Sequence, residues 1–217
     1  VTRFLEAVRA PSALRQNLAP SFPADLTLTL GAPTGNGAQT LAIEGRIGPS
    51  ELKADAEIES GFLRALAGAF RLELDLRSPD SAAMTAQLGL GEASLFPEGQ
   101  PMHLAGVVEG DVGAKLAVTL RAGGGGDSIG FAGNVVVTDP EKFTGRGTLK
   151  ATLAEPSALA ARLGAEGLWL PALSGTATLD FAGMQSIGLT GIAGTSSEGS
   201  FSGQLTFSKP AETGQLS

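Results

Sequence analysis

The stretch Phe70-Arg71-Leu72-Glu73-Leu74-Asp75-Leu76-Arg77 decides the fold that this sequence predicts. Its apolar residues alternate strictly with charged ones, which is the pattern of a β-strand with one apolar and one solvent-facing side. A helix would instead repeat its apolar residues every three or four positions. Because one side is polar along its whole length, the stretch indicates an antiparallel sheet and not a buried parallel one.

The same alternation recurs along the chain, separated by turn signals such as Asn36-Gly37, Gly123–Gly126 and Ser197-Glu198-Gly199. About ten strands in this order, with two or three short helices, predict a mainly β fold. We expect a meandering antiparallel sheet that is strongly curled, either as an open groove or as a barrel-like shape. Gly61–Ala69 is assigned to the start of the following strand. The other alternating stretches are Asp25–Leu30, Glu51–Glu59, Lys115–Arg121, Thr148–Leu153, Leu173–Phe181 and Ser200–Ser208.

Composition excludes several kinds of chemistry. The 217 residues are 42% hydrophobic and 17% charged, with 31 glycines, a single histidine and no cysteine. Thiol nucleophiles, disulfides, zinc–cysteine sites and multi-histidine metal sites are therefore excluded. The formal net charge of −7 has the wrong sign for a protein that neutralises nucleic-acid phosphates, so we expect no nucleic-acid partner.

No motif in the chain predicts catalysis. His103 is followed by a strand pattern and pairs with no G-x-S-x-G serine, so it is predicted to be a surface or edge residue. The acidic pairs Asp75/Asp80 and Glu109/Asp111 are interpreted as turn and cap residues rather than as a general acid and base. The sequence predicts no catalytic residues, no metal site and no cofactor, and hence no enzyme.

A short segment recurs and predicts repeated units of roughly seventy residues. Pro11-Ser12-Ala13-Leu14 returns as Pro156-Ser157-Ala158-Leu159, and a looser copy begins at Pro79. Each copy is predicted to form a short helix with proline at its first position, and Ser78 is expected to cap the second copy. The predicted units of one elongated repeat domain are 11–78, 79–155 and 156–217, the last incomplete.

The apolar faces of the strands must be covered, and the sequence offers too little helix to cover them. Three solutions exist: two sheets packed as a sandwich, a closed barrel, or a curled sheet whose apolar interior is left for a ligand. These faces are mainly aliphatic, and burying a sixteen-carbon acyl chain contributes on the order of 10 kcal/mol before entropic costs. The candidate lipid-binding residues are Leu26, Leu28, Leu30, Leu72, Leu74, Leu76, Leu116, Val118, Leu120, Leu149, Leu153, Leu179, Phe181, Leu205 and Phe207.

The last third of the chain resembles the AsmA-like proteins of Gram-negative bacteria. The likeness lies in Pro156–Leu159 with Leu163-Gly164 and Leu173–Leu179, and in the phrase Gly191–Gly194 followed by Ser200–Phe207. The resemblance implies a periplasmic segment of a protein anchored in the inner membrane, contributing to outer-membrane biogenesis. It also implies an elongated β-groove that conducts phospholipid between the two membranes without catalytic residues.

The sequence leaves one alternative open and predicts a longer parent chain. No stretch reaches the ~18 to 20 apolar residues of a membrane span, and the chain opens on Val1, so we expect a piece of a longer protein. The alternative to a lipid groove is a structural β-repeat or adhesin-like module with a closed sandwich core. The two hypotheses differ in what covers the apolar faces, which is lipid in the first and protein in the second.

Overall fold

A computed structural model describes residues 23–33, 35, 37–59, 61, 68–88, 96–111, 114–139, 142–157, 171–183 and 186–208. These residues form one antiparallel sheet of eleven strands, each hydrogen-bonded to the next strand in the sequence. The mainly β, meandering antiparallel fold is therefore confirmed. The strands are β1 Ala24–Leu30, β2 Gln39–Ile47, β3 Ser50–Ile58, β4 Ala69–Ser78, β5 Met102–Asp111, β6 Lys115–Gly124, β7 Asp127–Asp139, β8 Lys142–Leu153, β9 Leu173–Ala182, β10 Ser186–Ser196 and β11 Gly199–Ser208.

The strand register keeps all apolar positions on one side of the sheet. Leu72 in β4 stands opposite Ala56 of β3 and Val108 of β5, and the same parity continues through the neighbouring pairs. Side chains alternate between the two sides of a strand, so a register that preserves parity assigns every strand's apolar residues to the same side. We call this side the apolar face and the opposite side the polar face.

Glycine permits the one bulge that interrupts the last strands. The register of β10 shifts between Thr190 and Ala193 against β9, and between Leu189 and Ile192 against β11. Gly191 lies inside the shift with a φ of 58°, a conformation that costs other residues free energy. The extra residue in β10 shifts the alternation of side chains by one position. Leu189 and Gly194, which are five positions apart, therefore both lie on the apolar face.

The one helix described in full, α1 (Ser81–Gln87), lies in the connection between β4 and β5. Its N-cap is Asp80 and not Ser78 as predicted, because the Asp80 carboxylate accepts from the backbone N–H of Ala82. Ser78 instead donates its hydroxyl to the Asp80 carbonyl oxygen at 2.8 Å. The proline therefore stands before the cap rather than at the first helical position.

Helix α1 packs on one end of the apolar face. Met84 is fully buried against Leu76, Phe96 and Met102, and these residues make the buried core. The helix is fixed by side-chain hydrogen bonds, since Gln87 accepts from the buried Ser50 hydroxyl at 2.7 Å. Partly buried residues around this core come from β2, β3, β5, β6 and β7, namely Ile47, Leu52, Leu104, Ala122 and Ile129.

The sheet is open at both edges. In the described part of the chain, β1 pairs only with β2 and β11 only with β10, so these strands do not close into a barrel. The described strands belong to a single sheet, and within the described ranges no second sheet faces it. The predicted first copy of the helical segment, the third copy beyond Ser157, and Phe62–Ala67 of the stretch assigned to a strand start lie outside the described residues. Gly61 and Gly68 of that stretch are not in a strand, and Ala69 begins β4.

Candidate functional site

The apolar face carries a continuous row of nonpolar residues that crosses the whole sheet. One residue from each strand stands directly opposite its neighbour in the next strand, and every one is aliphatic or glycine. At ~4.8 Å between strands, the row runs roughly 48 Å across the sheet. The row, called the transverse row, consists of Leu30, Leu41, Ala56, Leu72, Val108, Val118, Gly133, Gly147, Leu179, Leu189 and Leu205.

Charge is confined to the polar face and to the ends of the strands. Among the paired positions described on the apolar face, the single charged residue is Asp127, at the start of β7. Asp127 is buried and its carboxylate accepts from the backbone N–H of Ala154. It therefore fixes the chain as it leaves β8, and the rest of the apolar face carries no ionisable group on the described strands.

The apolar face is most exposed on its two edge strands, while most of its residues on the interior strands are half-buried and Val118 is buried. Leu28 and Leu30 in β1 are 62% and 61% exposed, and Leu205 in β11 is 61% exposed. Leu76, which α1 covers, is only 4% exposed. Large contiguous apolar surface is uncommon on monomeric soluble proteins and marks a site of interaction with lipid, ligand or protein.

The register places all the candidate lipid-binding residues on the apolar face, including Phe207, which stands opposite Ile187. The same face holds nonpolar residues that the sequence had not singled out. Some lie in strands where glycine and alanine weaken the alternation of apolar and polar residues. Others lie in strands with a clear alternation, but they were not among the predicted lipid-binding residues. They are Leu41, Ile43, Leu52, Ile58, Leu104, Val108, Ile129, Phe131, Val135, Ile187 and Leu189.

Phenylalanine rings lie over glycines in the middle of the apolar face. The Phe181 ring lies 6.1 Å from that of Phe131 and 6.0 Å from that of Phe143, measured between centroids. A methyl group at Gly145 would overlap the Phe181 ring, and one at Gly147 would lie 2.6 Å from the Phe131 ring. Glycine at these positions therefore leaves the room in which the rings pack against the sheet.

The polar face is held by ion pairs between neighbouring strands. Arg71 in β4 contacts Glu109 of β5 at 2.6 Å and Glu73 of its own strand at 2.8 Å. Lys53 in β3 contacts Glu44 of β2 at 3.2 Å. These side chains are about half exposed, so water screens the pairs and they add little to stability.

Asp75, His103 and Arg77 form the cluster on the polar face that most resembles an acid–base site. Both the His103 ring and the Arg77 guanidinium contact the Asp75 carboxylate, at 2.8 and 2.9 Å. Partial burial raises the pKa of Asp75, but hydrogen bonds from His103 and Arg77 outweigh it and hold the pKa below its usual value. The geometry is that of an exposed structural ion pair.

Two of the acidic residues assigned to turns lie in strands instead. Asp75 is inside β4 and Glu109 inside β5, and both are paired with cations or His103 across the sheet. The turn assignment was wrong for these residues because it ignored their place in the alternating pattern. Asp80 is a cap residue as predicted, and His103 lies on the surface in an interior strand.

Shallow depressions occur on the polar face. One is lined by Lys53, Asp55, Glu73, Asp75 and Arg121, with the backbone of β5 beneath. These are gaps between long charged side chains, and ion pairs occupy their rims. They are open to solvent and do not enclose a small molecule.

No helix in the described ranges is both long and apolar enough to cross a membrane. The same ranges contain no group of three or more His, Cys, Asp or Glu side chains that could hold a metal ion. In comparisons with known proteins, no family model, no curated protein and no solved structure matches the chain.

Proposed function

We propose that the apolar face binds the acyl chains of phospholipids and that the chain is a non-enzymatic segment of a lipid-conducting β-groove. The observation that carries the proposal is the transverse row, which is nonpolar on all eleven strands and continuous from one edge of the sheet to the other. Alkyl chains need no specific polar partner. An uninterrupted nonpolar surface is therefore sufficient to bind them.

The dimensions and energetics of the face support this function. A bilayer core is ~30 Å thick, so one acyl chain extends over ~15 Å, and the ~48 Å row is longer than that. Each buried methylene contributes ~0.8 kcal/mol, which offsets the entropic cost of holding a flexible chain. Movement along the row requires only that chains exchange one nonpolar neighbour for another. Such movement is passive, and its direction depends on partners or gradients.

Helix α1 defines which part of the face is open in β3 to β6. It covers Leu76 and Met102, which lie at one end of their strands. In these strands, the residues of the transverse row lie at least four positions from that end. They are therefore outside the buried cluster that α1 forms with the sheet. We therefore place the bound chains across the strands, along the transverse row, with headgroups at the strand ends opposite α1.

The order of the elements supports a groove built from repeated units. The recurring proline-containing segments precede β1, β5 and β9, so successive copies are separated by four strands. Adding units of this kind lengthens the sheet without closing it. With the resemblance to AsmA-like proteins, this supports a periplasmic location, as part of a protein anchored in the inner membrane that carries phospholipid toward the outer membrane.

The second candidate function is a structural β-repeat or adhesin-like module. Such a module requires a second layer that buries the apolar face, as in a sandwich core. The described residues form a single sheet, and the exposure of Leu28 and Leu205 favours the lipid-binding function over this one.

Phospholipid uptake by a variant of Leu120 tests the proposal. Leu120 lies on the apolar face of β6 and is 37% exposed, and the next residue toward the N-terminus, Thr119, lies on the polar face. Leu120→Glu puts a charge where an acyl chain is to bind, so we expect uptake of a labelled phospholipid to fall by at least about tenfold. Thr119→Glu is the matched control and should leave uptake unchanged.

Native mass spectrometry after incubation with phospholipid vesicles provides the measurement. Wild-type protein is expected to carry phospholipid adducts, and Leu120→Glu is expected to lose them. A wild-type protein without adducts, or equal loss in both variants, would contradict lipid binding at this face. Circular dichroism of both variants confirms that the sheet is intact.

A further inference from the structure

Two lysines begin strands at the end of the sheet opposite α1. Consecutive strands are antiparallel and α1 follows the end of β4, so β4, β6 and β8 all begin at the end opposite the helix. Lys115 is the first residue of β6, and Lys142 is the first residue of β8. Both side chains are exposed. The bound lipids are to place their headgroups at this same end.

Each lysine directly precedes a nonpolar residue of the apolar face. Leu116 follows Lys115 and Phe143 follows Lys142, and both nonpolar residues lie opposite valines of β7. Successive side chains point to opposite sides of a strand, so each lysine starts on the polar face. A lysine stem at the first residue of a strand can bend around the end of the sheet while its ammonium stays in water. The chain thus places a cation beside nonpolar surface, and a phospholipid places its phosphate beside its acyl chains in the same way.

Neither lysine is engaged by a carboxylate of the described chain. The ion pairs among the described residues lie within β2–β5 and between β8 and β9, and none includes Lys115 or Lys142. Arg71, which also lies near this end, is held by Glu73 and Glu109. Ammonium groups form charge-assisted hydrogen bonds with phosphate. No ion pair has to break before the two lysines can form such bonds.

The spacing of the lysines suits one phosphate with acyl chains on the apolar face. Lys115 aligns through β7 with Thr144, two residues beyond Lys142, which puts the two lysine Cα atoms ~12 Å apart. Two flexible four-carbon stems can span this separation, so both ammonium groups can meet one phosphate. The transverse row begins three residues from Lys115, at Val118, which is ~10 Å along β6. One acyl chain extends over ~15 Å and therefore reaches the row from this end.

The other end of the same two strands is less suited to a phospholipid. Arg121 in β6 and Lys150 in β8 are also exposed and outside the ion pairs of the described residues. They lie toward the end where α1 packs, and there Ala122 and Ile129 of the apolar face contact the buried core around Met84. Acyl chains attached to a phosphate at Arg121 would have to displace that core.

We infer that Lys115 and Lys142 bind the phosphate of phospholipids whose acyl chains lie on the apolar face. The inference rests on the proposed function and adds to it the headgroup contact and the orientation of the lipid. Phosphate is common to phospholipid headgroups, so the site accepts both zwitterionic and anionic phospholipids. It discriminates against lipids that have acyl chains but no phosphate.

Binding of three ligands to two double variants tests the inference. The ligands are phosphatidylglycerol with a fluorescent acyl chain, diacylglycerol with the same chains and label, and glycerol phosphate, which has no acyl chain. Both lipids are titrated from neutral detergent micelles and glycerol phosphate by calorimetry. Lys115→Gln/Lys142→Gln removes the proposed contacts. Arg121→Gln/Lys150→Gln is the matched control, because it removes the same charge from the same face of the same two strands.

We expect Lys115→Gln/Lys142→Gln to weaken phosphatidylglycerol binding by about tenfold or more, since each lysine attracts the anionic headgroup. The control variant should bind it within about twofold of the wild-type protein, and diacylglycerol binding should be unchanged in both variants. Glycerol phosphate should bind the wild-type protein at least about a hundredfold more weakly than phosphatidylglycerol, because it buries no methylene groups. Circular dichroism confirms that both variants keep the sheet.

The outcomes separate this inference from the proposed function. Unchanged phosphatidylglycerol binding in Lys115→Gln/Lys142→Gln, or an equal loss in the control variant, would overturn the inference alone. Glycerol phosphate that binds as tightly as phosphatidylglycerol would show a site for free phosphate and would also overturn it. A wild-type protein that binds neither lipid would overturn the proposed function, and the inference with it.

Discussion

At the scale of single residues, the smallest side chains control how the strands approach one another. Gly133 stands opposite Val118 on one side and Gly147 on the other. Its missing Cβ leaves space that the neighbouring backbone and the Phe131 ring occupy. In the sequence, the many glycines predicted turns. In the structure, some of them also let neighbouring strands and rings pack closely inside the sheet.

Replacing Gly133 should therefore be more damaging than replacing an open glycine. A methyl group at Gly133 would overlap the Arg146 carbonyl oxygen and lie 2.5 Å from the Gly147 Cα, and the backbone cannot yield cheaply. We expect Gly133→Ala to lower the free energy of unfolding by about 1–3 kcal/mol. Gly203→Ala, whose Cβ meets nothing within 4 Å, should change it by less than ~1 kcal/mol. Equal effects in urea denaturation would contradict this packing.

The Asp75 cluster predicts a pH dependence of stability. Because folding lowers the pKa of Asp75, its contribution to stability is present above the pKa of the unfolded chain and is lost as pH falls through the folded value. Asp75→Asn should cost less than ~1 kcal/mol at neutral pH and nothing near pH 2, as for an exposed pair. An NMR titration midpoint for the Asp75 carboxyl at or above 3.8 would contradict the assignment.

At the scale of elements, the strands with strict alternation could be predicted from the sequence, and the others could not. Phe70–Arg77 predicts β4 almost to its ends, because a period of two persists through the whole strand. β2, β7 and β10 were not assigned from the sequence. In β7, Gly133 stands where an apolar side chain would continue the alternation, and in β10, Gly191 lies in the bulge that shifts it. The N-cap of α1 also could not be predicted from the sequence. Ser78 and Asp80 are both suitable N-cap residues, and only the path of the chain selects Asp80.

Helix α1 provides the contrast between covered and uncovered parts of the apolar face. Met84 of the helix is fully buried against the apolar face, and Leu28, which lies on that face in β1, is 62% exposed. Met84→Ala should lower the free energy of unfolding by about 2–5 kcal/mol, because it leaves a cavity in the buried core between α1 and the sheet. Leu28→Ala should cost less than ~1 kcal/mol. A large loss for Leu28→Ala in chemical denaturation would show that protein covers this part of the face.

At the scale of the whole molecule, register turns separate strand patterns into one surface. The alternation within a strand predicts that this strand has an apolar side. The sequence does not say whether the apolar sides of different strands face the same side of the sheet. The pairing through all eleven strands brings Leu30, Val118 and Leu205 into a single row. The strong curl expected from the sequence remains a prediction, and the closed barrel is replaced by an open sheet.

The central claim is that acyl chains bind along the apolar face, and site-specific quenching tests it most directly. A fluorophore attached to Leu120→Cys reports the apolar face, and the same fluorophore on Thr119→Cys reports the polar face one residue away. A phospholipid with a nitroxide on its acyl chain quenches a fluorophore only at close range. We predict strong quenching at position 120 and little at position 119; equal quenching at both positions, or none at 120, would contradict the account.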